Sequence, residues 1–260
     1  MSLRQCLKIL KSYPIVFVTH NKLDCTIYDE ICIKEGVNFS YEYFPSYYFA
    51  NLHGYNALLL SKSFYKRFIQ HCYILIYQLD VYVFFDQLEH WCNQGYDYIG
   101  APWLDLKEID CAPVFRVAPI GNGGFSLRKI SVFFSNCTKE IQLRSFTHLI
   151  CALFDSKAKK LQQKILYKIR QLILRLPKKI LLKIIFLPND LDNNEDVIWL
   201  KWIISKGAKI PSYHVAMQFS FEDYPEYLFE LNNNQLPFGC HRWHIYYHYR
   251  FWKPYIAINE

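Results

Sequence analysis

The chain has 260 residues, 52% of them hydrophobic, and a formal net charge of +7, so we expect one substantial core in about one or two domains. Its nine cysteines include no C-x-x-C pair, so we expect no disulfide framework. The sequence has no run of about 18 uncharged apolar residues, so we expect no membrane span. Without the ten basic residues between positions 157 and 189, the chain has 20 basic and 23 acidic residues, a balance that excludes a general nucleic-acid-binding surface.

Predicted strands and helices alternate along the chain, which is typical of an α/β protein in which 1–260 form a single domain. The predicted strands lie at residues 15–19, 38–44, 73–84, 116–127 and 214–219. The predicted helices lie at residues 27–35, 52–70 (in two pieces around Ser61), 84–93, 129–136, 142–154 and 195–205.

Residues 73–84 contain a single acid, Asp80, among apolar, aromatic and β-branched neighbours. Such a run is typical of a strand buried on both faces of a mostly parallel sheet. A carboxylate there is costly unless it is paired or binds a metal, and open α/β sheets bind ligands beyond the carboxyl ends of their strands. The alternative is that Asp80 caps the next helix or begins a turn.

A glycine-rich turn follows at residues 120–128, with the sequence Ile-Gly-Asn-Gly-Gly-Phe-Ser-Leu-Arg. Glycines at such a turn let the backbone approach a ligand closely. Their spacing matches neither the dinucleotide-binding fingerprint nor the P-loop. Two further polar motifs come later, an acid pair that opens an amphipathic helix after Asn194 and a Gly-Cys-His turn that ends at His241.

These motifs, in this order, resemble a bacterial glycosyltransferase-like family known as domain of unknown function 5672 (DUF5672). The resemblance rests on residues 73–84, 96–103, 121–128, 194–199 and 236–243. It implies the GT-A fold, a nucleotide-binding α/β sandwich with a mostly parallel central sheet. The implied reaction is a metal-assisted, inverting transfer of a sugar from a nucleotide sugar to a cell-surface glycan or lipid-linked acceptor, with Mn²⁺ or Mg²⁺ as the cation.

The resemblance also implies metal ligands, because GT-A enzymes hold the cation with an acid-x-acid triplet after a strand. The matching triplet here is Gln78-Leu79-Asp80, in which Gln78 stands where the first acid would be and offers only an amide oxygen. Asp80 is therefore the implied ligand, and His241 is implied as a further one. The alternative for His241 is a hydrogen bond that stabilises its turn.

The same resemblance implies that Asp196 is the base that takes the proton of the acceptor hydroxyl, with Glu195 orienting the site. The residues alone leave another explanation open, because Asn194 is a good N-cap and acids in a first helical turn are favoured by the helix dipole. The implied donor and acceptor contacts are Gln78, Asp80, Asn122, Gly123, Gly124, Asn56 and Lys62.

The chain departs from the family at its start. Family members begin with an apolar strand before a helix like residues 2–11, whereas Met1 directly precedes that helix here. In GT-A proteins the first strand and its loop hold the base and ribose of the donor. Two functions therefore stay open, an active glycosyltransferase and a catalytically inactive, N-terminally truncated remnant that binds a glycan or a partner.

The basic residues form a segment of their own at residues 157–187. Apolar residues recur there at three- and four-residue steps between lysines and arginines, which predicts a basic amphipathic helical insertion. One interpretation is docking on the anionic inner leaflet of the plasma membrane by an otherwise cytoplasmic protein. The other is a helix that packs on its own domain and leaves its basic face in water.

Overall fold

The computed structural model of the chain describes residues 1–106, 113–154 and 193–256. The predicted insertion at residues 157–187 lies outside the described residues. The α-helices are α1 (Ser2–Ile9), α2 (Thr26–Glu35), α3 (Leu52–Leu59), α4 (Lys62–Arg67), α5 (Leu88–Asn93), α6 (Ile130–Asn136), α7 (Lys139–Phe154), α8 (Glu195–Ser205), α9 (Tyr213–Phe219), α10 (Pro225–Leu231) and α11 (Tyr246–Trp252). A short 3₁₀ helix spans Ser46–Phe49.

The strands are short and belong to several sheets. They are β1 (Ile15–Thr19), β2 (Phe39–Tyr43), β3 (Tyr73–Tyr77), β4 (Val81–Val83), β5 (Tyr98–Ile99), β6 (Pro102–Leu106), β7 (Pro113–Ile120), β8 (Phe125–Lys129), β9 (Ser220–Phe221) and β10 (Gly239–His241). The mixed α/β class predicted from the sequence is therefore confirmed.

The expectation of a mostly parallel central sheet is wrong for the described residues. β1 and β2 are parallel and joined through α2, and β9 is parallel to β10. In contrast, β10 is antiparallel to β4, β8 is antiparallel to both β3 and β5, and β6 is antiparallel to β7. The expected burial on both faces holds for β4, whereas β3 is only partly buried along its length. The apolar run also does not report the direction of the neighbouring strands.

The sequence predicts one strand at residues 73–84, but the structure has two, β3 and β4. The chain turns after Tyr77, and the amide of Val81 donates a 3.0 Å hydrogen bond to the carbonyl of Gln78. β3 then belongs to the sheet of β8, whereas β4 pairs with β10. Asp80 consequently lies in a turn between two sheets, rather than at the end of one buried strand.

The strand predicted at residues 214–219 is a helix, α9. Its sequence is short and apolar, which fits a buried strand as well as a buried helix. Ala216, Met217 and Phe219 face the core from this helix, and Ala and Met favour helical backbone. Only the next two residues form a strand, β9, which places Glu222 directly after it.

Two hydrophobic clusters support the glycine-rich turn between β7 and β8. One packs Trp199 of α8 against Tyr65 and Phe133, and the other packs Phe125 of β8 against Phe219 and Phe238. Phe125 immediately follows the turn, so the second cluster fixes where the turn ends. No described helix is both long and apolar enough to cross a membrane.

Candidate functional site

The turn at residues 121–124 is held by its own side chain at Asn122. This residue has a positive φ of 82°, a conformation that asparagine adopts more readily than most residues. Its Oδ1 accepts hydrogen bonds from the amides of Gly124 (2.8 Å) and Phe125 (3.2 Å), and its carbonyl accepts one from the hydroxyl of Tyr98 (3.1 Å). The backbone of the turn is therefore fixed on both sides.

The first glycine of the pair, Gly123, faces the acids at the start of α8. Its amide donates a 2.8 Å hydrogen bond to Oδ2 of Asp196, and its carbonyl accepts a 3.1 Å hydrogen bond from the hydroxyl of Tyr55. A Cβ at this position would overlap Oε1 of Glu195. Glycine is therefore needed here for close approach of the acids to the backbone, not for an unusual φ.

Glu195 is held by a buried ion pair with Arg128 of β8. The two guanidinium nitrogens donate hydrogen bonds of 2.9 and 2.7 Å to the two carboxylate oxygens, and the same guanidinium donates to the hydroxyl of Tyr65 at 3.0 Å. Burial disfavours the charged guanidinium and tends to lower the pKa of Arg128. The adjacent carboxylate of Glu195 outweighs burial and raises this pKa well above its usual value. The charge of Glu195 is thus neutralised inside the protein.

Asn56 of α3 fixes the first residue of α8. Its Oδ1 accepts a 3.2 Å hydrogen bond from the amide of Glu195, and its Nδ2 donates a 3.3 Å hydrogen bond to Oδ1 of Asn194. The side chain of Asn194 makes no capping hydrogen bond to α8. The expected N-cap role of Asn194 is therefore taken by Asn56, which lies far away in the sequence.

The second glycine, Gly124, faces a different group of side chains. Its carbonyl accepts a 2.9 Å hydrogen bond from the amide of Gln78. A Cβ at Gly124 would overlap Nε2 of His241 and would lie 2.7 Å from Oε1 of Gln78. The two adjacent glycines thus separate an acid pair on one side from Gln78, Asp80 and His241 on the other.

His241 lies between two carboxylates. Its Nε2 is 3.2 Å from Oδ1 of Asp80 and 3.3 Å from Oε1 of Gln78, while its Nδ1 is 3.0 Å from Oε1 of Glu222. Burial alone would lower the pKa of His241, but these two carboxylates raise the pKa to about 9. Burial likewise tends to raise the pKa of Asp80, and the hydrogen bond with His241 lowers that pKa below its usual value.

The family resemblance implies a divalent cation, which needs several ligands close together. Within residues 1–106, 113–154 and 193–256, no three of the His, Cys, Asp and Glu side chains form a group that could hold a metal. The donors near Nε2 of His241 are one carboxylate, of Asp80, and one amide oxygen, of Gln78. Their separations from Nε2, 3.2 and 3.3 Å, are close to the roughly 3 Å expected between neighbouring ligands with bonds of about 2.1 Å. These three donors would hold a cation only together with ligand oxygens or water that complete its shell.

Lys62 lies apart from these contacts. It is exposed at the start of α4, where its amino group lies 4.7 Å from the ring centroid of Phe134 and its amide donates to Oε1 of Gln142. The other candidate residues from the sequence meet at the two glycines directly or through one partner. These are Asn56, Gln78, Asp80, Asn122, Glu195, Asp196 and His241.

Three residues of this cluster were not predicted as site residues, namely Arg128, Glu222 and Tyr55. Arg128 had a signal, because a cation inside the apolar segment Phe-Ser-Leu-Arg needs a buried partner. Glu222 and Tyr55 had none, because their partners, His241 and Gly123, are distant in sequence and are brought together only by the fold.

Comparison with known proteins gives a family without an assigned activity. No curated protein and no solved structure matches the chain. A family model described as "Protein of unknown function (DUF5672)" matches residues 38–241, a region that includes both glycines and every residue of the cluster around them. The chain therefore belongs to the DUF5672 family.

Proposed function

We propose that this chain is a glycosyltransferase that moves a sugar from a nucleotide-sugar donor to a hydroxyl of a cell-surface glycan or lipid-linked acceptor, with metal assistance and inversion. One observation carries the proposal. Gly123 and Gly124 are adjacent, and one faces the carboxylate of Asp196 while the other faces Asp80, Gln78 and His241. A candidate base and a candidate cation site are therefore separated by a single peptide unit.

The side chains next to Gly124 suit a nucleotide-sugar donor. Cleavage of a nucleotide sugar leaves negative charge on a diphosphate, which a bound divalent cation would stabilise electrostatically. Asp80 and His241 would hold that cation, with the amide oxygen of Gln78 as a third donor. The side chain of Asp80 is 31% exposed whereas that of His241 is 8% exposed, so a ligand would approach this group from the side of Asp80.

The two acids next to Gly123 suit an acceptor hydroxyl that must lose its proton. Oδ2 of Asp196 is oriented by the amide of Gly123, and Oδ1 accepts a 2.8 Å hydrogen bond from the amide of Val197. Each carboxylate oxygen keeps a further lone pair, so the group can still accept a proton from a sugar hydroxyl. Glu195 is engaged by Arg128, which leaves Asp196 as the carboxylate of the pair suited to act as the base.

The turn offers one further donor to a substrate. Nδ2 of Asn122 is buried and has no hydrogen-bond partner among the described residues. An unpaired buried donor is costly, and an oxygen of a bound sugar or phosphate would satisfy it. Asn56, in contrast, acts on α8, so we assign it to positioning. Lys62 stays a proposed donor contact.

The experiment is a transfer assay with a panel of nucleotide sugars and Mn²⁺ or Mg²⁺, read out as release of nucleoside diphosphate. It is accompanied by calorimetry of Mn²⁺ with a nucleoside diphosphate. We expect Asp80→Asn and His241→Ala to weaken both sugar transfer and Mn²⁺ binding. Lys129→Gln, which alters a partly exposed ion pair with Asp97, should change neither. Unchanged binding in Asp80→Asn would overturn the metal assignment. Intact donor and metal binding without any turnover would instead favour the catalytically inactive remnant.

A peripheral contact with anionic membrane on the cytoplasmic side remains part of the proposal. It rests on the sequence of residues 157–187 and on the lipid-linked nature of the proposed acceptor. An acceptor anchored in the inner leaflet would be reached most easily by an enzyme held at that surface.

A further inference from the structure

We propose that Glu222 is a positioning residue that directs Nε2 of His241 toward the cation and strengthens its binding. The inference rests on the proposed metal site and extends it to a residue that does not itself touch the cation. It is carried by the position of His241 between Asp80 and Glu222, with one carboxylate at each nitrogen of its ring.

The backbone fixes this arrangement. β9 and β10 are parallel neighbours in which Ser220 pairs with Gly239 and Phe221 pairs with Cys240. Glu222, directly after β9, therefore comes beside His241, the last residue of β10. The side chains of Glu222 and His241 are 11% and 8% exposed, so the hydrogen bond between them is shielded from water.

This hydrogen bond determines which nitrogen of His241 is available. When Oε1 of Glu222 accepts the proton on Nδ1 at 3.0 Å, a cation would displace the other ring proton and bind at Nε2. Nε2 is also the atom that faces Asp80 and Gln78. A carboxylate behind a ligating histidine fixes its tautomer and raises its basicity, and its loss typically weakens metal affinity by about 10- to 100-fold.

The adjacent pair provides a matched control. Asp223 follows Glu222, Arg242 follows His241, and their side chains form a 3.6 Å ion pair with exposures of 36% and 44%. This pair lies one residue beyond Glu222 and His241 and is partly exposed to water, so it should contribute little. Asp223→Asn thus changes a neighbouring carboxylate without changing the ring of His241.

The test is the affinity of the full chain for Mn²⁺, measured from the electron paramagnetic resonance signal of the free ion. We expect Glu222→Met, which removes the acceptor at similar side-chain length, to weaken Mn²⁺ binding by about 10- to 100-fold. Glu222→Gln keeps an oxygen acceptor and should recover part of the affinity, and Asp223→Asn should match the wild type. Equal affinity in Glu222→Met and the wild type would overturn the inference.

A second measurement needs no substitution and so does not depend on whether Glu222→Met folds. In nitrogen–proton correlation spectra of the histidine rings with Zn²⁺ bound, we expect His241 to carry its proton on Nδ1 and to bind the metal through Nε2. Ligation through Nδ1, or no change at His241, would overturn the inference. Neither readout involves sugar transfer, so a chain that binds metal as expected but transfers nothing would contradict the proposed function alone.

Discussion

Arg128 and Glu195 form a bidentate ion pair with N–O distances of 2.7 and 2.9 Å, and their side chains are 0% and 1% exposed. The pair joins β8, which follows the two glycines, to the first residue of α8. Removing one partner of a buried pair leaves an uncompensated charge, which costs about 3–5 kcal/mol. We therefore expect Arg128→Met to lower the free energy of unfolding by that amount in urea denaturation.

The matched control is Arg67→Met. Arg67 pairs with Glu42 at 3.0 Å, but their side chains are 53% and 28% exposed, and exposed pairs contribute about 0–1 kcal/mol. The double variant Arg128→Met with Glu195→Met removes both charges and should be less destabilised than Arg128→Met alone. If Arg128→Met costs no more than Arg67→Met, the pair does not hold α8 in place.

The second prediction uses the two glycines as controls for each other. Gly124→Ala places a Cβ into Nε2 of His241, so we expect Mn²⁺ affinity to fall on the order of tenfold or more. Gly123→Ala places a Cβ into Oε1 of Glu195, and we expect overpacking to cost about 1–3 kcal/mol of stability while Mn²⁺ affinity is kept. Calorimetry and thermal unfolding of both variants distinguish the two sides of the turn. Equal losses of Mn²⁺ affinity would show that the sides are not separate.

Some helix boundaries could be predicted because residues close in sequence determine them. The sequence predicts that the helical region at residues 52–70 divides at Ser61, and this is confirmed, since Oγ of Ser61 accepts a 3.2 Å hydrogen bond from the amide of Phe64 and caps α4. Capping depends on a few consecutive residues, so it is visible in the sequence. The predicted start of α8 at the acid pair is also confirmed, although the distant Asn56, and not the side chain of Asn194, holds the amide of Glu195.

The remainder depends on contacts between distant residues. Strand direction was mispredicted because β3 and β4 belong to different sheets, although the apolar run through them is continuous. Glu222 meets His241 only because β9 lies beside β10, and a strand of two residues gives no periodic signal. The sequence therefore indicated most side chains of the candidate site but not the ones that support them.

The third prediction concerns the pH dependence of stability in the metal-free chain. The pKa of His241 is raised from 6.5 to about 9 in the folded protein. A raised pKa adds stability that is complete below pH 6.5 and is lost as the pH rises through 9, by about 3 kcal/mol at most. Urea unfolding with a chelator across this range should show the loss in the wild type and not in His241→Gln. Parallel curves for the two proteins would contradict it.

The fourth prediction concerns residues 157–187, which lie outside the described part of the chain. If their basic residues contact anionic lipid, the protein should sediment with anionic vesicles, and less so as salt rises, because screening shortens the reach of the charges. Each surface-bound lysine contributes about 1 kcal/mol, so replacing Lys160, Lys164 and Lys168 by Gln should weaken binding about 100-fold.

The control for this experiment replaces three exposed lysines elsewhere, Lys139, Lys201 and Lys206, and should leave vesicle binding close to that of the wild type. Equal sedimentation of the wild type with neutral and anionic vesicles would contradict the electrostatic contact. It would favour the alternative that the segment packs on its own domain.

The fifth prediction separates proton transfer from structure at Asp196. Asp196→Asn keeps an oxygen that can accept the 2.8 Å hydrogen bond from the amide of Gly123, but the amide is far too weak a base to take a proton from a sugar hydroxyl. A positioned base contributes about 10²- to 10⁴-fold, so we expect kcat for transfer to fall by that factor while Mn²⁺ and donor affinities stay unchanged. Asp223→Asn, a carboxylate substitution in an exposed ion pair, should transfer at the wild-type rate. Glu195→Gln should lower the free energy of unfolding but change kcat of the folded protein less than Asp196→Asn does, because Glu195 acts through Arg128. Transfer by Asp196→Asn at a near wild-type rate would show that the acids at this helix start serve the fold alone.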